Sequence, residues 1–305
     1  MSTITNVVLV GASGALGSRV LEALIDAAVF NITVLARKSS EAQFPSSVQV
    51  SHVDYASIAE LTVALKGQDA VVSTVGGAGL MNQIPLIEAS IAAGVKRFIP
   101  SEFGADAGNP NSAKLPVYQR SIAIHKALQE QAKVHPEFSY TLIRNGMFLD
   151  WGLVRQYHFA FSSETPPFYD GGDRPFSTTT LYTVGRAVAG VLGHLDETKN
   201  RVVYVHDMIV TQRQIMGIAQ KFAPEKKWNP VTVDIADLVA KSKESYAKGV
   251  FDLNASIGFL CQAVYGEGYG GEFQNVDNEL LGIPLKTEAD LEELVRDAMS
   301  RSGPK

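Results

Sequence analysis

The sequence predicts an α/β fold, a doubly wound parallel sheet followed by a smaller α+β region, and three observations lead there. Apolar, β-branched runs alternate with amphipathic helical runs five times before residue 145, the pattern of parallel strands joined by right-handed crossover helices. The first of these runs ends in a glycine-punctuated turn, Gly11-Ala12-Ser13-Gly14-Ala15-Leu16-Gly17. Past residue 150 the alternation gives way to a segment dense in aromatic residues and prolines. The expected division is a first domain over 1–150 and a smaller region over 151–305, with segments of the second able to interleave with the first.

With 305 residues, 46% hydrophobic and 19% charged, the chain can bury one substantial core. Lys and Arg number 27 against 32 Asp and Glu, a net charge of −5. No basic run offers a surface that would track phosphates, so nucleic acid is not an expected partner. Cys261 is the single cysteine, which leaves no internal disulfide. The histidines His52, His125, His135, His158, His194 and His206 show no H-x-x-x-H spacing and no cysteine cluster, so no metal site is expected. No apolar run approaches the ~20 residues of a membrane span, and the start has no basic n-region. A cytoplasmic, reducing compartment is the expectation.

Val7 to Val10 and the helical run from Ser18 to Ala28 flank the glycine turn. Such a unit cradles phosphate: glycine lets the backbone come close, and the ligand's charge meets free N–H groups at the helix N-terminus. The spacing is G-x-x-G-x-x-G, making Gly11, Ser13, Gly14, Ala15, Leu16 and Gly17 candidate cofactor contacts. Ile32 to Ala36 reads as a second strand ending in Arg37-Lys38. An NAD-preferring site places Asp or Glu there for the ribose 2′-hydroxyl, whereas Arg accommodates a 2′-phosphate. With no carboxylate present, NADP(H) is the expected cofactor and Arg37 and Lys38 its contacts, the alternative being two solvated loop charges.

Val48 to Val53 alternates as a third strand; Asp54 after it either flanks the adenine or caps the next helix, 57–66. Ala70 to Val75 is continuously apolar and β-branched, as a strand buried on both faces should be. A second glycine loop, Gly76-Gly77-Ala78-Gly79, follows it. Ligands gather beyond the carboxyl ends of parallel strands, so Thr74, Val75 and Gly76 join the cofactor candidates. A helix over 85–93, a strand over 97–100, the loop Ser101-Glu102-Phe103-Gly104, a helix over 115–133 and a strand over 140–144 complete the sheet. On that last helix Ser121, Ile124 and Leu128 share one stripe, while Ile122 and Lys126 lie nearly opposite. Lys126 therefore faces water or a cleft roofed by the rest of the chain. Ser101 and Asn145, at two strand ends, either orient a substrate or cap local turns.

Trp151, Tyr157, Phe159, Phe161, Phe168 and Tyr169 crowd the next stretch, interrupted by prolines 166, 167 and 175. They form either the wall of an apolar substrate site or the core of a small second unit. Helices are expected over 182–192, from a Thr211 cap to Phe222, and from a capping-box-like start at Thr287 through Ala298; strands over 201–205 and 231–233. The glycine-rich run Tyr265 to Gly271 is the expected mobile loop.

Together, GASGALG, LARKS, GQDAVVSTVG, KRFIPSEFG and YTLIRNGMF resemble the isoflavone reductase-like and NmrA-like proteins, an atypical branch of the short-chain dehydrogenase/reductase superfamily. The resemblance implies an NADP(H)-binding Rossmann domain, a smaller substrate domain, and a reductase passing hydride to a small aromatic or conjugated, apolar substrate. It implies a catalytic proton-transfer lysine on the helix after the SEFG loop, the place held here by Lys126. Phe103, Met147, Phe148 and Trp151 are the corresponding candidates for substrate contact. Two departures stand out. The Tyr-x-x-x-Lys pair of the superfamily's classical branch is absent, since Ile122 precedes Lys126 by four, with Tyr118 two turns away. Glu130 stands where plant reductases commonly carry Arg. Both departures also suit an alternative, an NmrA-like redox sensor that binds NADP(H) and a protein partner without chemistry.

Overall fold

The computed structural model describes residues 3–301. Its frame is a sheet of seven strands, all parallel: β1 (Asn6–Val10), β2 (Asn31–Arg37), β3 (Gln49–Val53), β4 (Ala70–Ser73), β5 (Arg97–Ile99), β6 (Ser139–Arg144) and β10 (Arg201–Tyr204), in the order β10-β6-β5-β4-β1-β2-β3. Helices α1 (Ala15–Asp26), α2 (Ile58–Ala64), α3 (Gln83–Ala92) and α4 (Gln119–Val134) make the crossovers. The order reverses between β1 and β4, which opens a crevice at their carboxyl ends. Expected and observed elements differ at their ends for local reasons. α1 begins at Ala15 because Gly14, extended, serves as its N-cap. β4 stops at Ser73 because the Thr74 hydroxyl turns back to donate to Val10 O at 2.7 Å. α4 begins only at Gln119, after two short 3-10 turns, the second opened by Pro116.

The remaining elements are β7 (Met147–Phe148), α5 (Leu149–Val154), β8 (Pro167–Tyr169), β9 (Phe176–Thr179), α6 (Leu181–Gly193), β11 (Met208–Val210), α7 (Gln212–Phe222), β12 (Val231–Val233), α8 (Ile235–Ala247), α9 (Leu253–Tyr265) and α10 (Glu288–Arg301). Thr211 and Gln214 form the full capping box of α7, and Thr287 and Asp290 bond reciprocally at the start of α10. α6 packs on α1, and β10 pairs with β6, so both complete the first layer although they follow residue 150. Arg97 stitches this junction. Its buried guanidinium donates to Ser139 and Thr141 on β6 and to Thr198 and the Leu195 carbonyl beyond α6, at 2.6 to 2.9 Å. Burial lowers its pKa to about 10.

Apolar side chains line both faces of the sheet, and a second core gathers α5, α7, α9 and α10. The run from Tyr265 to Gly271, expected to be mobile, is instead tied down. Tyr265 closes α9, Ser112 Oγ donates to Tyr269 O at 2.7 Å, Asn111 donates to Gly268 O at 3.1 Å, and Ser177 N donates to Gly271 O at 2.9 Å. Among the described residues, no helix is long and apolar enough to cross a membrane.

Candidate active site

A cavity of about 550 Å³ lies at the crevice between β1 and β4, within the range of small-molecule sites. Of the expected cofactor contacts, Gly11, Ser13, Gly14, Arg37, Thr74, Val75 and Gly76 line it. Tyr55, Phe44 and Gln83 line it as well, and these the sequence reading missed. Tyr55 donates to Leu35 O at 2.6 Å, which sets its ring beside the end of β2. Asp54 does not line this cavity and does not cap α2. Ser57 is the cap, while Asp54 accepts from Ala56 N within the preceding turn.

The glycine turn is shaped by close approach. Gly11 has φ +83°, and a Cβ at Gly17 would stand 2.1 Å from Gly11 O and 2.7 Å from Thr74 Oγ1. Gly14 N closes the turn onto Gly11 O at 3.0 Å. No side chain caps α1, so the N–H groups of its first turn remain available to an anion. A narrow backbone cradle, a helix start without a cap and a cavity of this volume fit a dinucleotide. Ala15, Leu16 and Gly17, expected as contacts, do not line the cavity: Ala15 is exposed, Leu16 packs on the sheet core and Gly17 is buried. At the end of β2, the Arg37 side chain lines the cavity without a hydrogen-bonding or ionic partner among the described residues, whereas Lys38 is held by Glu60 of α2 at 2.7 Å.

Beyond β5 and β6 the SEFG and RNGMF segments are bolted together. Arg144 donates to the Glu102 carboxylate and to the Glu102 carbonyl, both at 2.7 Å, and the two residues are 3% and 5% exposed. Asn145 N and Gly146 N both donate to Gly104 O at 3.1 Å. Burial raises the Glu102 carboxyl above its usual range, with the Arg144 charge opposing. His125, edge-on to Tyr140, has its pKa lowered by burial and by Arg144. Ser101 donates to Val75 O at 2.5 Å and its N–H to Gln83 Oε1 at 2.7 Å, tying the end of β5 to the second glycine loop. Ile124 and Leu128 are fully buried and Lys126 is exposed, its side chain making no hydrogen bond or ion pair among the described residues; it lines neither cavity.

A second cavity, about 90 Å³ and almost wholly apolar, begins at Met147 and is walled by Trp151, Tyr157 and Tyr169 together with α9. Phe148 backs it, edge-on to Trp151 at 6.3 Å, and Phe103 packs instead on the sheet core. The crowded rings thus divide: Phe159, Phe161 and Phe168 are buried in the second core, whereas Trp151, Tyr157 and Tyr169 face the cavity. Sequence reading missed the α9 wall, although Leu253, Ile257, Leu260 and Val264 recur at helical spacing, which was the available signal. Among the described residues, no cluster of His, Cys, Asp or Glu has metal-holding geometry.

Comparison with known proteins agrees with this geometry. Residues 11–175 match a family described as NAD(P)H-binding. Oxidoreductase aprR of Aspergillus flavus is 33% identical over 287 residues, covering 92% of this chain and 95% of that protein. Oxidoreductase poxI of Penicillium oxalicum is 35% identical, covering 78% and 76%. Among solved structures, AtPrR2 with NADP+ and (+)pinoresinol superposes with a TM-score of 0.79 at 22% identity, covering 98% of this chain and all of that one. An isoflavone reductase superposes at 0.76 with 19% identity, covering 97% and 99%. The chain therefore belongs to the NAD(P)H-binding family, with oxidoreductases as its relatives.

Proposed function

We propose that this protein is an NADPH-dependent reductase that delivers hydride to a small aromatic or conjugated substrate, with Lys126 as the proton-transfer group. The observation that carries the reading is the pairing of two sites at one edge of the sheet. One is a dinucleotide-sized cavity lined at the end of β2 by Arg37, whose side chain has no partner among the described residues; the other is an apolar aromatic cavity that begins at Met147, just past β6. Bound NADPH would supply the hydride. Residues 1–150 hold the dinucleotide and 151–305 wall the substrate, with α6 and β10 interleaved into the first layer. The Glu102–Arg144 pair keeps the ends of β5 and β6 rigid, so that substrate and nicotinamide meet in a fixed geometry. The AtPrR2 complex, with NADP+ and an aromatic ligand together, and a leucoanthocyanidin reductase from Vitis vinifera solved with NADPH (TM-score 0.74, 20% identity, 97% and 99% coverage) support the pairing.

Lys126→Ala is expected to lower turnover at least a hundredfold while NADPH binding, followed by fluorescence titration, stays unchanged. Full turnover in this variant would exclude the lysine as the proton-transfer group. The exposure of Lys126, away from both cavities, favours a second reading, a non-catalytic NADP(H) sensor. Tight NADPH binding with no oxidation across a panel of aromatic ethers, ketones and enones, and a protein captured in only one redox state, would select the sensor.

A further inference from the structure

The wall of the apolar cavity holds a buried polar group that nothing in the fold accounts for. Tyr265, on the last turn of α9, lines the cavity, and its hydroxyl is buried without a hydrogen-bond partner among the described residues. Buried tyrosine hydroxyls ordinarily find a partner, and an unpaired one costs about 1–3 kcal/mol. Its ring cannot swing away to find one: Tyr169 stacks on it at 5.0 Å and 30°, and Phe176 meets it edge-on at 5.0 Å. Two other polar groups of this wall, the Tyr169 hydroxyl and the Cys261 thiol, interact with each other. Phenylalanine at 265 would fill the same space without an unmet hydrogen bond.

We propose that the Tyr265 hydroxyl is the recognition group of this cavity, hydrogen-bonding an oxygen substituent on a neutral aromatic ring of the substrate. The inference rests on reading the cavity as the substrate site. A volume of about 90 Å³ is below the ~150 Å³ of an apolar cavity that holds benzene, so it takes at most one ring. The rest of a larger substrate lies toward the rim, where Leu253, a lining residue, is 47% exposed and Phe251 beside it is 61% exposed. Phenols, aryl ethers and quinone carbonyls all fit, because a tyrosine hydroxyl both donates and accepts. Burial holds the Tyr265 pKa well above the ordinary phenol value and raises that of Cys261 to about 12, so both stay neutral. No basic residue lines the cavity, and an aryl carboxylate would bury its charge unpaired.

Isothermal titration calorimetry on the full chain with p-cresol, toluene and p-toluate tests this directly. Wild type is expected to bind p-cresol about tenfold more tightly than toluene and to bind p-toluate not at all. Tyr265→Phe should keep the toluene affinity and lose the preference for p-cresol. No p-cresol preference in wild type, or a preference that survives Tyr265→Phe, overturns the proposal. Leu260→Trp, which fills the cavity from another side, should abolish binding of both neutral probes; p-cresol binding that survives it would place the site elsewhere and also overturn the proposal. NADPH oxidation is measured separately on the panel of aromatic ethers, ketones and enones, since the three probes accept no hydride: Tyr265-dependent probe binding without turnover of that panel sustains this recognition role and rejects the reductase reading.

Discussion

Replacing Gly17 by Ala should break the cofactor cradle from behind, through a residue that does not itself line the cavity. The new Cβ would stand 2.1 Å from Gly11 O, where ordinary contact begins near 3.4 Å, and 2.7 Å from Thr74 Oγ1. Neither oxygen can yield cheaply. Gly11 O accepts the turn bond from Gly14 N, and Thr74 Oγ1 is committed to Val10 O at 2.7 Å. The start of α1 must therefore move by more than 1 Å. Overpacking of this kind costs ~1–3 kcal/mol, and loss of the turn bond adds ~1. A total near 3 kcal/mol lowers the melting temperature of a chain this long by about 5 °C. The same displacement lengthens the N–H to phosphate bonds, and losing one charge-assisted bond weakens NADPH binding by ~10–100-fold. Gly14→Ala is the control, since its Cβ would sit 3.3 Å from Gly11 O on an extended backbone, φ −77°, and should change stability by no more than ~0.5 kcal/mol. Urea unfolding and NADPH fluorescence titration read both quantities. Wild-type stability and affinity in Gly17→Ala, or a larger loss in Gly14→Ala, would refute this account of the turn.

Two further outcomes follow from single side chains. Arg37→Ala should weaken NADPH binding by about five- to tenfold and leave NADH binding unchanged, by fluorescence titration; equal losses for both would exclude a 2′-phosphate contact. His158 is fully buried, with its ring bonded to Phe148 O at 2.8 Å, and burial lowers its pKa to about 4. Because the unfolded chain protonates first, its contribution to stability is complete above pH 6.5 and is lost as pH falls from 6.5 toward 4, by about 3 kcal/mol in all. Urea midpoints at pH 7.5 and 4.5 should show this slope, and His158→Gln should flatten it; identical slopes in the two proteins would contradict it.

The elements legible in the sequence are those whose signals are local. The strand runs of β1, β2 and β4, the α1 and α4 periodicity and the Thr211 cap of α7 can be read within a dozen residues, because periodicity and capping are contacts between near neighbours. Arg37 was legible for the same reason, lying at a strand end whose chemistry depends on one residue type. Lys38 was not separable from it, since only the fold brings Glu60, from the helix after the next strand, to within 2.7 Å. The α9 side of the second cavity was hidden because Met147, Trp151, Tyr169 and Tyr265 come from four separate elements, β7, α5, β8 and α9, which only the fold brings together. The mobile-loop expectation at 265–271 failed on the same ground: glycine content signals freedom, but Ser112 and Ser177 bind that backbone from other parts of the chain.

By itself the sequence determined the parallel α/β frame and the glycine turn from Gly11 to Gly17, because buried β-branched runs and small-residue turns are set by steric preferences within a few residues. Only the tertiary structure decided that β10 completes the sheet beside β6, that the Glu102–Arg144 pair locks two strand ends, and that a tyrosine from α9 reaches an aromatic cavity begun at Met147. Those are contacts between residues tens to more than a hundred positions apart, and they exist only once burial of the whole apolar surface has outweighed the entropy of closing such long loops.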